Sequence, residues 1–250
     1  MKTSDAVLIA ESLKGKFAEG TYSRRARAIL EHRRLAFKQG HWIVVLSGFV
    51  EPVLYLFSFG YGVGKLVGKI EVTPGHWVTY AQFIAPALLA TSAMNGAIYD
   101  STWNIFFRLK YDGTYKAMLA TSLGPLDVAL GEIGWALFRG LIYATGFTAI
   151  VMPLGIIKGW YGLLAIPAAV IIAFGFASVG MLYTTYAKSF AQMDWVNVVM
   201  LPLYHGIQIV RSLSLGIIQW SLLVHVAYFV VMIGIGLTFT TKRMRALFMR

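Results

Sequence analysis

The chain alternates between long runs almost free of charge and short stretches in which charge is concentrated. Between Lys38 and Lys65 the one charged residue is Glu51. No Asp, Glu, Lys or Arg falls between Glu71 and Asp100, Arg139 and Lys158, Lys158 and Lys188, or Arg211 and Lys242. Crossing a hydrocarbon layer of roughly 30 Å takes about 20 apolar residues in a helix. In lipid a helix satisfies its own backbone polar groups, so such runs should be helical. The pattern predicts spans over 42–61, 78–99, 133–152, 161–186 and 213–239. A further apolar piece, 195–210, contains Pro202 and His205 and is short for a crossing. The expected fold is an all-α polytopic membrane protein with five clear transmembrane helices and a short or truncated fifth span.

The polar stretches divide the chain. Residues 1–41 hold nine Lys/Arg against Asp5, Glu11, Glu19 and Glu31. Within them, Ala26, Ile29, Leu30 and Phe37 share one helical face, while Arg24, Arg27, Arg34 and Lys38 lie largely elsewhere. That suits an amphipathic helix in the cytoplasmic headgroup layer. Residues 42–240 form the expected transmembrane domain, interrupted by a cytoplasmic loop over 100–132. In that loop Asp112-Gly113 is a turn signal. Thr114 is placed to cap a short helix carrying Tyr115, Lys116, Met118 and Leu119. Gly124-Pro125 ends it, and Asp127 is placed to cap the helix that follows. Such a helix reads equally as a docking knob or as an ordinary surface helix. Residues 241–250 form a basic tail. Basic flanks mark the cytoplasmic side, so both termini are expected there, in the cell membrane, with an even number of crossings. That arrangement places 17 Lys/Arg on the cytoplasmic side and four outside. It obliges 195–210 to contribute the sixth crossing. Residues 1–20 lack the continuous apolar core of a signal peptide.

Composition agrees: 58% of the 250 residues are hydrophobic and 13% charged, against about 25% charged in soluble domains. The net charge of +11 follows from basic flanks that set topology and meet anionic headgroups, so no nucleic-acid partner is expected. There are no cysteines, hence no disulfides and no cysteine metal site. Gly60-Tyr-Gly-Val-Gly-Lys-Leu fails as a phosphate-binding loop, because position 59 is Phe and position 66 is Leu. Gly60, Gly64 and Gly68 read as small-residue spacing for close helix contact or as a flexible exit. His32, His41, His76, His205 and His225 show no metal-ligand spacing, and no catalytic motif is present. Polar groups inside spans are costly and face a partner or water. The candidates for an intramembrane network or path are Glu51 beside Pro52, Asn95, Arg139, Gln219 and His225. Helix–helix contact and substrate contact both fit them, and Glu51 is an open partner for Arg139.

Four segments carry a family resemblance: Glu51-Pro-Val-Leu-Tyr-Leu, Tyr111-Asp-Gly-Thr-Tyr-Lys-Ala-Met-Leu-Ala-Thr, Leu126-Asp-Val-Ala-Leu-Gly-Glu and Pro202-Leu-Tyr-His-Gly. Through them the chain resembles the membrane subunits of ABC-2 type exporters. The nearest branch contains the NodJ-like lipooligosaccharide exporters and the daunorubicin-type drug efflux permeases. The resemblance implies six spans, an amphipathic elbow helix over 24–40, and a coupling helix over 112–123 that docks a separate ATPase subunit. It implies that ATP and magnesium belong to an ATPase dimer. It also implies a second permease copy or paralogue, and an amphiphilic substrate (a lipid-linked saccharide or a hydrophobic drug) moving between the two permeases. Asp112, Gly113, Thr114, Tyr115, Lys116, Met118 and Leu119 would form the coupling element. One departure is visible: Leu201 runs straight into Pro202 where the family carries a full fifth span and an outer re-entrant region, as if some tens of residues were lost. The rival readings are a gradient-driven secondary transporter and a membrane accessory or structural protein.

Overall fold

The computed structural model describes residues 23–38, 42–157, 160–189, 192 and 203–248. The junction at 201–202 lies outside the described residues. Helix α1 spans Ser23–Lys38 and α2 spans Trp42–Tyr55; α2 continues through a π-helical stretch, Leu56–Val63, into α3, Gly64–Val67. A two-stranded antiparallel hairpin follows, β1 Lys69–Thr73 and β2 His76–Thr79. Next comes α4, Tyr80–Tyr99, which passes through a π-helical turn at Asp100–Asn104 into α5, Ile105–Lys110. A short α6, Thr114–Leu119, leads to α7, Pro125–Val151. A 3-10 turn at Trp160–Leu164 opens α8, Ala165–Tyr186; α9 is Leu203–Leu215 and α10 is Ser221–Phe248. Among the described residues, four helical runs are long and apolar enough to cross a membrane: Tyr80–Lys110, Pro125–Val151, Gly162–Tyr186 and Ser221–Phe248. The protein is an all-α polytopic membrane protein with one small hairpin at an end of the bundle.

Each boundary has a local cause. The hairpin pairs Ile70 with Val78 and Glu71 with Trp77. It turns at Pro74-Gly75, where Gly75 has φ 82°, a value a Cβ disfavours. The Glu71 carboxylate accepts the Gly75 N–H at 2.8 Å. Thr79 then caps α4 reciprocally: its hydroxyl accepts from the Gln82 N–H at 3.3 Å, and the Gln82 side chain accepts from the Thr79 N–H at 3.0 Å. Gln82, which lies in an apolar run, is therefore a capping residue. At the start of α6, Gly113 takes the N-cap position with φ 64°, so Thr114 is the first helical residue and not the cap. Pro125 opens α7, and the Asp127 carboxylate accepts the Gly124 N–H at 3.0 Å, as its spacing predicts.

Three stretches differ from the hydropathy pattern. The polar region from 100 is helical as far as Lys110, and α7 begins eight residues earlier than the apolar run it contains. Both extensions carry charges that find partners across the helix pair, described below, so helix is not interrupted where hydropathy drops. The apolar run 213–239 is also divided. Gly216, at φ 71°, ends α9, and α10 starts at Ser221 and continues through the basic residues to Phe248.

The core lies where α4, α7 and α8 meet, with α10 packed along α8. It is built from small residues: Ala85, Ala90, Ala93 and Ala97 of α4 and Ala169, Ala173 and Ala177 of α8 are almost fully buried. Without a hydrophobic drive between helices in lipid, close backbone approach through small residues supplies the packing. A Cβ on Gly236 would lie 2.5 Å from the Ser178 Cβ, and one on Gly175 2.5 Å from the Phe229 ring. Hydrogen bonds add to this: Ser92 donates to the Gly48 carbonyl at 2.8 Å and Thr184 to the Ser101 carbonyl at 3.2 Å. The outer face of α10, including Val224, Val230, Val231 and Phe239, is exposed. In a membrane that face is solvated by acyl chains.

Candidate functional site

Three polar clusters occupy different levels of the bundle. At the α6 end, the Glu132 carboxylate of α7 is 3% exposed and is shared by two arginines. Arg33 of α1 pairs with it, and Arg108 of α5 reaches it at 3.0 Å. Tyr115 of α6 is fully buried beside them. Its hydroxyl lies against Glu132 without meeting hydrogen-bond geometry; burial and then that negative charge push the phenol well above its ordinary value. Tyr115 thus keeps its proton. Three other elements converge on this one carboxylate of α7. Met118 and Leu119 pack inward beside Tyr115, whereas Tyr111, Asp112, Lys116 and Ala117 are exposed. The two faces of α6 are therefore chemically distinct: one keyed into the bundle, one open.

In the middle of the bundle Arg139 of α7 meets Asp100, the two groups 3.0 Å apart. The Arg139 Nε–H is off line, so the contact is an ion pair more than a hydrogen bond. Asn104 donates to the other Asp100 oxygen at 2.7 Å. Sequence spacing leaves Glu51 as a partner for Arg139; the structure gives that place to Asp100, because the helical extension through 100–104 brings it to the depth of Arg139. Glu51 is exposed and lines a hollow of about 330 Å³ together with Tyr55, Asn95, Tyr99, Arg139 and Tyr143. Glu51, Asn95 and Arg139 are thus brought together at one open cleft between α2, α4 and α7.

Gln219 and His225 are elsewhere, at the hairpin end. Gln219 lies in the link between α9 and α10 and is exposed; it is outside the span in which the apolar run had placed it. The His225 Nδ1 is 2.7 Å from the His205 Nδ1, and His205 stacks on Tyr228 with centroids 4.3 Å apart. One ring nitrogen of the pair must carry the proton that the other accepts. Among the described residues no group of three or more His, Cys, Asp or Glu side chains could hold a metal ion.

Arg33, Asp100, Arg108 and Glu132 escape a sequence reading. Asp100 and Glu132 sit at the edges of apolar runs and Arg33 and Arg108 lie in polar stretches, places where a charged residue is ordinary. The available signal is that Asp100 and Asn104 are four apart, consistent with helix continuing into the polar stretch.

The model of the ABC-2 type transporter family matches residues 25–204. The chain is 28% identical to nodulation protein J of Rhizobium leguminosarum bv. viciae over 251 positions, covering 89% of this chain and 95% of that protein. It is 30% identical to nodulation protein J of R. leguminosarum bv. trifolii, covering 76% and 80% of the two chains, and 28% identical to that of Rhizobium meliloti, covering 80% and 83%. The first alignment is 251 positions long yet takes in 89% of 250 residues, so the relative has positions with no counterpart here. No solved structure shows a significant match. The chain belongs to the ABC-2 type transporter family. It is the permease component of an ABC-type exporter, a transport subunit and not an enzyme, and nucleotide chemistry resides on its ATPase partner.

Proposed function

We propose that α6 is the element through which the partner ATPase drives this permease, and that the cleft at Glu51, Asn95 and Arg139 is this chain's half of the path for an amphiphile, a lipid-linked saccharide or a hydrophobic drug. The observation that carries this reading is the anchoring of Tyr115. A helix of six residues has little stability of its own, yet here its tyrosine is fully buried beside a carboxylate of α7 held from α1 and α5. A push on the exposed face of α6 (Asp112, Lys116) would pass through Tyr115 to the helix that carries Arg139. The Asp112–Gly113–Thr114 turn sets the position of that face, and Met118 and Leu119 brace it from below.

In the assembled exporter two permeases, identical or paralogous, face each other across their clefts above an ATPase dimer. ATP binding brings the ATPases together, and the spans rock between two states that hold substrate differently. Residues 1–41, with α1 lying in the headgroup layer, 111–124 and the basic tail are cytoplasmic. The hairpin is outside. The stretch from Trp42 to Val67 adds a crossing, and with both termini cytoplasmic the number of crossings is even. Deleting 112–123 is expected to abolish co-purification of the ATPase and ATP-driven export from vesicles while leaving the chain in the membrane. Unchanged ATPase capture and export would end the coupling assignment. Transport that persists without nucleotide and collapses with the ion gradient would favour a secondary transporter.

A further inference from the structure

We infer that Arg211 is the centre of a small anion-binding subsite at the hairpin end of the bundle, which takes the phosphate- or sulfate-type head of an amphiphile. Arg211 projects from α9, its guanidinium carbon 4.1 Å from the centroid of the Phe83 ring. Its Nε is buried and has no hydrogen-bond partner. Arg33 and Arg108 share Glu132, and Arg139 has Asp100. Among the described residues no carboxylate pairs with Arg211. A cation removed from water is costly unless a counter-charge meets it. A ring face offsets part of that cost but leaves the planar donor fork unused, and such a fork matches an oxyanion bidentately.

The surroundings supply what an oxyanion needs. Arg211 lines a hollow of about 160 Å³ with Thr73 of the hairpin, Gln208, Ser212, Gln219 and His225. All of these carry N–H or O–H donors in at least one state, and none of the described residues lining the hollow is acidic. The volume decides the size of the occupant. Pockets for whole organic ligands begin at about 300 Å³, so this one admits a head group and not an acyl chain or an oligosaccharide. Val72 and Leu215 at its margin offer apolar surface on which the chain behind such a head would lie. The position, at the end of the bundle opposite α6, suits either the anionic head of the exported amphiphile or that of a membrane phospholipid. Only this choice of source rests on the export reading; the subsite itself does not.

The test uses the full chain with its ATPase in phosphatidylcholine nanodiscs. The probes are dihexanoyl phosphatidic acid, dihexanoyl phosphatidylcholine and inorganic phosphate. The expected result is phosphatidic acid binding that weakens about tenfold in Arg211→Gln, the loss of one charge-assisted contact, with partial retention in Arg211→Lys. Because Arg211→Gln removes a partly buried charge and can alter folding, Gln208→Leu is measured beside it and is expected to weaken binding several-fold. Comparable binding of inorganic phosphate assigns the subsite to oxyanions in general; binding of phosphatidic acid alone assigns it to lipid heads. Equal affinity for phosphatidic acid and phosphatidylcholine in the wild type, or folded variants that bind as well as wild type, overturns the subsite. Failed ATP-driven export with anion binding intact would count against the export reading only.

Discussion

At the Glu132 carboxylate, two guanidiniums and one phenol depend on a single negative charge. Removing that charge leaves Arg33 and Arg108 facing each other in a site poor in water. Breaking a buried pair from one side costs about 3–5 kcal/mol, so Glu132→Gln is expected to lower the detergent melting temperature steeply or to leave little folded protein. Tyr115→Phe deletes one imperfect polar contact and keeps the ring packing. Its cost is expected near 1 kcal/mol or below, with the fold intact and any loss confined to coupling between ATP hydrolysis and export. Similar melting temperatures for the two variants would show that the carboxylate does not organise this end. Arg139, Glu51 and Asn95 are legible in the sequence because each stands in an apolar run. Glu132 and Asp100 are not, since the value of a carboxylate at the end of a run depends on which arginine arrives from another helix.

The helices meet through glycine and alanine, and α10 offers a controlled comparison. Gly236 faces α8, where a new Cβ would lie 2.5 Å from the Ser178 Cβ and 2.6 Å from its backbone carbon. Backbone cannot yield cheaply, so Gly236→Ala is expected to cost about 1–3 kcal/mol, seen as a lower melting temperature. Gly234 lies two residues away with nothing within 4 Å. Gly234→Ala is therefore expected to be neutral or slightly stabilising, since Ala is the better helix former by about 1 kcal/mol. Equal effects from the two would mean that α10 does not pack on α8 as described. Periodicity reads the presence of each long helix but not its ends. Those depend on capping by Thr79, Gly113 and Asp127 and on the left-handed turn at Gly216, all interactions of a few atoms that hydropathy averages away. The hairpin is missed for the same reason, although Ile70, Val72 and Val78 around Pro74-Gly75 carry the alternation and turn of a hairpin.

Seen as a whole, the molecule has two chemically different ends, α6 with its charge cluster at one and the hairpin with the Arg211 hollow at the other. Their sidedness is open to a clean measurement because the chain has no cysteine, so an introduced thiol is the sole reporter. Lys116→Cys is expected to react with an impermeant maleimide only from the cytoplasmic side, and His76→Cys only from outside. Labelling of both from one side would refute the orientation and with it the docking role of α6. Membrane residence, the all-α class and the family are all determined by the sequence alone. Each rests on local composition or short motifs, and the cost of burying backbone polar groups in lipid leaves such stretches little choice but helix. Which charge meets which was decided by tertiary structure alone: Asp100 and not Glu51 on Arg139, Glu132 between Arg33 and Arg108, Arg211 over Phe83. Coulomb energy and desolvation are set by distances across helices, and hydropathy along one chain carries no record of those distances.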